Sequence, residues 1–317
     1  MSEKLTGVVT KSTGSWYLVR IGTDIIQCRV KGKIKLDDLK LTNPIAVGDQ
    51  VIIEMEPKED VASIVTILPR KNYIVRQSPR KKHLLHFMAS NVDQVLLIVT
   101  LKNPNLKLGF IDRFLLMTEP YSIPVVIVFN KADIYNEEDM KLFNYIKTIY
   151  KNIGYQVLLC SAETKLGIDD CKNILKDKTT LVSGQSGVGK STLINQIQPR
   201  LLIKTEEISD FSGKGQHTTT FAEMYTLDIG GQIIDSPGIK TLGFSHFDKK
   251  DVAHNFKEFF TISSECKFAD CLHMNEPNCA VKKAVESGKI AEFRYQNYLA
   301  IIDEVENQNY WEIHDDV

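Results

Sequence analysis

The stretch GQSGVGKST, residues 184–192, sets glycines, a lysine and hydroxyl side chains in a row. It fits G-x-x-x-x-G-K-[ST], follows the apolar run TTLVSG and opens a helix-like segment. That strand-loop-helix context is the one in which the pattern cradles phosphates. Glycines let backbone N–H groups converge on the phosphate oxygens, and the helix N-terminus adds the positive end of its dipole. Lys190 reaches the β and γ oxygens, which makes it a catalytic as well as a binding candidate, and Ser191 is a ligand for Mg²⁺. Gly184, Gln185, Ser186, Gly187, Val188, Gly189, Lys190, Ser191 and Thr192 form the candidate phosphate site. This loop alone does not separate ATP from GTP.

Two downstream segments complete a phosphate-sensing set. IIDSPG (233–238) is an apolar run ending in Asp-x-x-Gly. Asp235 would hold Mg²⁺ through water, and the Gly238 N–H would meet the γ-phosphate. Between it and the phosphate loop lies GKGQHTTTF (213–221), rich in glycine and hydroxyl side chains. A nucleotide switch needs a threonine that grips Mg²⁺ and γ-phosphate. Thr218, Thr219 or Thr220 could serve.

The base is read upstream. VVIVFNKADIY (125–135) ends a strand-like run with Asn-Lys-Ala-Asp, and CSAETKLG (160–167) ends another. Guanine offers N1–H and an exocyclic amine side by side, so a carboxylate accepts from both; adenine leaves that acid unpaired. Asp133 suits the role. Asn130 can bond O6/N7 and tether neighbouring loops, the Lys131 stem can cover the base, and Ala132 lies within the clamp. Ser161 and Ala162 supply a second base-facing loop, with the Ala162 N–H directed at O6. The order is therefore base, base, phosphate, switch, switch. An ordinary GTPase has its phosphate loop and switches first, so the arrangement implies a circularly permuted GTPase. A parallel sheet tolerates this because domain termini tend to lie close together. The second switch then leads straight into the C-terminal region.

That region carries CKFADCLHMNEPNC (266–279), in which Cys266, Cys271, His273 and Cys279 are spaced C-x₄-C-x-H-x₅-C. Three thiolates and an imidazole make a closed tetrahedral zinc site, structural because no position stays open for water. The remaining cysteines, Cys28, Cys160 and Cys171, are scattered and read as inert.

The elements that must position these groups follow from patterning. The chain has 317 residues, 43% hydrophobic and 25% charged, with net charge −1. These values suit a soluble multidomain protein whose nucleic-acid contacts must use local basic patches. No signal peptide and no apolar run of membrane-spanning length is present, so a cytoplasmic, monomeric protein is expected. Residues 5–68 hold five β-like runs broken by turn signals, which suits an oligonucleotide-binding (OB) type barrel. Its loop VKGKIK (30–35) has lysines at alternate positions, and a basic interdomain linker follows at 70–86. From residue 92, near-continuous apolar runs alternate with helix-like segments at 110–119, 137–152 and 168–176, and another opens at Ser191. Strands buried on both faces read this way, so a parallel α/β sheet is expected. A mainly helical region follows, ending in one amphipathic helix over 288–308. The expected fold is multidomain α/β: residues 1–70 an OB-type RNA-binding barrel, 71–243 the permuted P-loop GTPase, and 244–317 a helical zinc-binding domain.

The joint occurrence of NVDQVLLIV, NKAD, GQSGVGKST, GQHTTT, DSPG and CKFADCLHMNEPNC resembles the ribosome small-subunit-dependent GTPase A family (RsgA/YjeQ type) over nearly the whole chain. The resemblance implies a bacterial factor that binds the small ribosomal subunit (30S, 16S rRNA and its proteins) late in maturation. It would check the decoding region and leave on GTP hydrolysis, with low activity alone and stimulation by the subunit. It also implies a catalytic role for the histidine of the HTTT stretch, here His217. Ile239 directly follows DSPG where many GTPases carry a catalytic Gln, and an apolar residue cannot orient water. An alternative is an RNA-binding module that uses GTP only as a conformational sensor with negligible turnover. A metabolic P-loop kinase is disfavoured by NKAD and by the absence of a substrate lid.

Overall fold

The structure is a computed structural model. It describes residues 4–31, 43–55, 61–77, 84–201, 203, 221–239, 242–244 and 247–314, with side chains described up to residue 307. The first five strands are β1 (Lys4–Ser12), β2 (Tyr17–Ile21), β3 (Asp24–Val30), β4 (Gln50–Met55) and β5 (Val61–Ile67). They pair in the order β1-β2-β3-β5-β4, and β4 returns to β1, so the sheet closes into the expected barrel. Period-2 alternation sends Val9, Tyr17, Val19, Cys28, Val51, Ile53, Ala62 and Ile64 inward.

The segment 70–86 is more than the linker expected of it. Its ends form strands β6 (Tyr73–Gln77) and β7 (Leu85–Ser90), which pair antiparallel; the basic tip 78–83 lies outside the described residues. The hairpin holds the barrel. Arg70, just before β6, makes a two-pronged bond to the fully buried Asp49 of the barrel, at 2.6 Å to each oxygen. Gly48 has φ +98°, and a Cβ there would lie 2.1 Å from the Ser90 carbonyl, so the close approach admits only glycine.

The central sheet comprises β8 (Gln94–Val99), β9 (Val125–Phe129), β10 (Gln156–Leu159), β11 (Thr179–Gly184), β12 (Glu223–Thr226) and β13 (Gln232–Asp235). Their order is β10-β9-β8-β11-β13-β12. The first five are mutually parallel, as read from the apolar runs. β12 runs antiparallel to β13 and was not legible from its EMYT sequence. It meets the barrel at Lys11↔Glu223, where the side chains also pair at 2.7 Å.

Helices α1 (Leu108–Thr118), α2 (Glu137–Ile153), α3 (Ile168–Leu175) and α4 (Lys190–Ile197) lie within a residue or two of their expected bounds. For α2 the reason is local: Asn136 and Asp139 form a reciprocal capping box, and Gly154 ends the helix at φ +104°. Alternate strand residues serve opposite faces. Leu97, Val99, Ile127 and Phe129 pack with α1, α2 and the C-terminal helices, while Leu96, Ile98, Val128 and Val182 pack with α3 and α4.

The C-terminal region holds α5 (Lys249–Asn255), α6 (Lys257–Ser263), α7 (Ala280–Glu286) and α8 (Glu292–His314). The last helix begins later and ends later than the 288–308 expected, because Gly288 adopts φ +74° and breaks the pattern. It packs on α1 through a buried charge network: Arg294 bonds Glu258 at 2.7 and 2.9 Å and Asp112 at 2.5 Å. Tyr150 and Asn297 complete the shell of Asp112. Arg294 thus serves both carboxylates, so removing it would leave them without their cation.

Candidate functional site

The phosphate loop leaves the end of β11 at the middle of the sheet, and the base loops leave the ends of β9 and β10 nearby. In open α/β sheets ligands bind at these carboxyl ends. Gly184 must be small, since a Cβ would lie 2.3 Å from the Ile98 carbonyl on β8. At Gly189, φ is +85° and a Cβ would lie 2.5 Å from the Asn130 amide nitrogen, so the loop and the base clamp meet there.

Asn130 is nearly fully buried and ties three loops. Its Nδ2 donates to the Val188 carbonyl at 3.0 Å, and its Oδ1 accepts from the Ala162 N–H at 3.2 Å. Lys131 has φ +65°, and its Nζ donates to the carbonyls of Gly187 at 2.7 Å and Asn103 at 2.5 Å. Burial pushes its pKa down, opposed by the Asp133 carboxylate. The Ser161 hydroxyl donates to Asp133 Oδ1 at 2.5 Å and accepts from the Thr164 N–H at 3.0 Å. Ala132 sits between these clamp residues in the turn that follows β9. The NKAD turn and the Ser161–Ala162 loop are thus one cluster, with the exposed Asp133 carboxylate at its edge.

The phosphate half is equally joined. Lys190 is buried, and its Nζ donates to Asp235 Oδ1 at 2.8 Å and to the Ser236 carbonyl. A Cβ on Gly238 would lie 3.3 Å from Ser186, so the Asp-x-x-Gly turn rests against the phosphate loop. Gln185 follows at the β11 exit, and Ser191 and Thr192 occupy the first turn of α4. Ile239 donates its N–H to the Gly184 carbonyl at 3.0 Å and is 1% exposed, so its side chain is core. His217, Thr218, Thr219 and Thr220 lie outside the described residues.

Three contacts carry no motif. The loop after β8 borders the site: Asn103 receives the Lys131 ammonium, and Pro104 lies beside Gly187. Tyr135 bonds Asn130 from behind, at 2.6 Å to its carbonyl. Cys160 and Cys171, which looked scattered, are buried with their sulfurs 3.4 Å apart under the Ser161 loop. That bond and burial push the Cys160 thiol pKa far up, so these thiols act as core. Their spacing matches no motif; only the packing of α3 on β10 brings them together.

The ligand atoms of Cys266, Cys271, His273 and Cys279 all lie within 4.8 Å of one another. Cys266 Sγ and Cys279 Sγ are 4.0 Å apart and lie 3.7 and 3.4 Å from His273 Nδ1. Zinc bond lengths imply tetrahedron edges of about 3.8 Å between sulfurs and about 3.5 Å from sulfur to nitrogen. The cluster could therefore hold a metal ion. Burial pushes the Cys271 thiol up to about 12 and raises Cys279 too. The surroundings supply polar donors: Ala280 N–H to Cys266 Sγ at 3.3 Å and Lys282 N–H to Cys279 Sγ at 3.5 Å, the latter as the cap of α7.

The loop is braced by residues outside the C-x₄-C-x-H-x₅-C pattern. The two carboxylate oxygens of Glu276 accept the N–H groups of Leu272 at 2.7 Å and Met274 at 2.8 Å, bracketing His273. Tyr295 and Tyr298 on α8 donate to the carbonyls of His273 at 2.7 Å and Leu272 at 2.5 Å. His273 is thereby kept at φ +58°.

The family model described as RsgA GTPase matches residues 67–245, and the RsgA N-terminal domain matches 6–63. The chain belongs to the RsgA GTPase family. Among its curated relatives is the small ribosomal subunit biogenesis GTPase RsgA of Flavobacterium psychrophilum. It is 48% identical over 302 residues, which cover 94% of this chain and 93% of the relative. The protein of that name from Phocaeicola vulgatus is 47% identical over 307 residues, or 96% of this chain and 99% of the relative. Two solved structures agree in architecture. YjeQ from Thermotoga maritima superposes with TM-score 0.74 at 35% identity, covering 96% of this chain and 99% of that one. YloQ, described as a circularly permuted GTPase, superposes with TM-score 0.71 at 29% identity, covering 96% of each. As an RsgA-family member the protein is a GTPase, a hydrolase acting on GTP. Its loops, in the order base, base, phosphate and Asp-x-x-Gly, form one permuted site. Among the described residues no helix is long and apolar enough to cross a membrane.

Proposed function

We propose that the protein hydrolyses GTP to GDP and phosphate as a late maturation factor of the small ribosomal subunit, in the cytoplasm, with the subunit stimulating turnover. Its relatives named as small ribosomal subunit biogenesis GTPases support the subunit as partner. The observation that carries the nucleotide reading is the Asn130 amide, which joins both base loops to the phosphate loop. In this reading Asp133 accepts from the guanine N1–H and amine, the Lys131 stem covers the base, and the Ala162 N–H meets O6. The glycine-loop N–H groups hold the phosphates, and Lys190 leaves Asp235 to neutralise the β and γ oxygens. Ser191, Asp235 and a threonine at 219 or 220 would hold Mg²⁺, which supplies charge neutralisation on the transferred phosphate when bound. With Ile239 buried, water orientation falls to His217 on the subunit.

The cysteine cluster would hold one structural zinc through Cys266, Cys271, His273 and Cys279. The barrel, residues 1–70, would contact RNA; 71–243 would form the GTPase unit and 244–317 the zinc-binding unit. Phosphate release measured with and without small subunits tests the proposal, with strong stimulation expected. Buried Ile239 favours one second reading, a GTP-dependent conformational sensor with negligible turnover. Stimulated multiple turnover would exclude it, and a rate indifferent to subunits would sink the leading reading.

A further inference from the structure

Tyr135 belongs to none of the GTPase motifs, yet its hydroxyl lies directly behind the base clamp. It follows the short turn Ala132–Ile134, and its ring is half buried against the core on the α1 and α2 face of the sheet. The hydroxyl donates to the Asn130 carbonyl at 2.6 Å and accepts the Leu101 N–H at 2.9 Å. Thr100 Oγ1 lies 3.2 Å away and donates its own proton to the Lys102 carbonyl at 2.8 Å. One oxygen thus joins the loops that leave two adjacent strands, β8 and β9. On the other side the Asn130 N–H donates to the Val99 carbonyl at 2.8 Å, so both peptide groups of Asn130 are anchored to the β8 end.

The consequence is geometric. The Asn130 side chain reaches Val188 and Ala162 at hydrogen-bond distance, with little tolerance for a shift of its backbone. Asp133 lies on the same turn, downstream of the same carbonyl. The β8 loop is bound to the clamp again by Lys131 on Asn103 and by Lys102 on Asp139 at 2.5 Å. Among the side chains in these links, Tyr135 is the one, in the described residues, that bonds the main chain of both loops.

We propose that Tyr135 is a positioning residue for guanine recognition, whose hydroxyl fixes the Asn130 backbone and so the aim of Asn130 and Asp133 at the base. It touches neither the base nor the phosphates. Burial pushes its pKa up, so it stays a protonated donor across the working pH range. The inference rests on the reading of NKAD as a guanine clamp.

The test is the full-length Tyr135→Phe protein with Mg²⁺, beside wild type. Phenylalanine keeps the ring and its packing but leaves the Asn130 carbonyl and Leu101 N–H without their partner. KM for GTP should rise about tenfold and the GDP dissociation constant by the same factor, with kcat unchanged. A merely structural tyrosine would instead lower the melting midpoint or the active fraction, hence apparent kcat, and leave KM alone. KM and GDP affinity within about twofold of wild type would overturn the proposal. Wild type serves as the separate control on the clamp: equal preference for GTP and ATP there would sink the guanine reading itself.

Discussion

The nucleotide site and the cysteine cluster solve the same problem, fixing charged ligand groups, in opposite ways. The cluster draws all four ligand residues from one short stretch, 266–279. The nucleotide site collects Asn130, Ala162, Val188, Lys190 and Asp235 from the ends of four parallel strands. In the first case the chain must bend until four ligand-type side chains converge, and a left-handed His273 with bracing from Glu276 and α8 records that bend. In the second the sheet already sets the spacing, and side-chain bonds only trim it. A short-range site should therefore depend on its ion for folding, whereas a sheet-built site should persist without its ligand.

The largest effect should come from removing the metal. Structural zinc in comparable clusters contributes on the order of 10 kcal/mol of apparent binding energy. One zinc per chain is expected by elemental analysis. Chelation, or Cys271→Ser, should abolish cooperative melting of the C-terminal helices while the central sheet remains. A metal-free protein with undiminished melting would reverse the comparison.

Next come the phosphate and switch residues. Lys190→Ala should weaken GTP binding by roughly two to three orders of magnitude, free or subunit-bound, because it removes the buried ammonium of the phosphate loop. His217→Ala should keep GTP affinity and subunit binding but lose about a hundredfold or more of subunit-stimulated single-turnover hydrolysis, with the slow basal rate barely altered. An unchanged stimulated rate would make the histidine a bystander. His217→Ala should melt like wild type, whereas Lys190→Ala should melt at a lower midpoint, because it breaks a buried ion pair.

Asp133→Asn should exchange an acceptor for an amide and move preference from GTP toward xanthosine triphosphate by about a hundredfold. Retained guanine preference in competition binding would remove Asp133 from the base site. The smallest effect is expected at Glu276→Gln, where one of two backbone N–H groups loses its acceptor. About 1–2 kcal/mol of stability should be lost from the metal-bound protein, visible as a lower melting midpoint. No shift would mean that the ion alone, without its bracing carboxylate, holds the loop.

The motifs were legible because each is a chemical demand on consecutive residues. A phosphate asks for glycines, a guanine edge for a carboxylate, and a metal for thiols at ligand spacing. The apolar runs 92–101, 124–130 and 179–184 announced buried strands, and the helix-like segment 137–152 announced α2, whose ends Asn136, Asp139 and Gly154 fix in the structure. The order of the motifs was enough to read the permutation. Tertiary structure alone decided the rest. The β6–β7 hairpin was concealed by the basic run between 70 and 83, and β12 is too short to show a period. Tyr135 behind Asn130, Cys160 against Cys171, and Arg294 between Asp112 and Glu258 join residues with no regular spacing between them. A local pattern encodes which backbone conformation a segment prefers and which face it buries. Which distant side chains then meet depends on how strands order and helices dock, and that is a property of the packed whole.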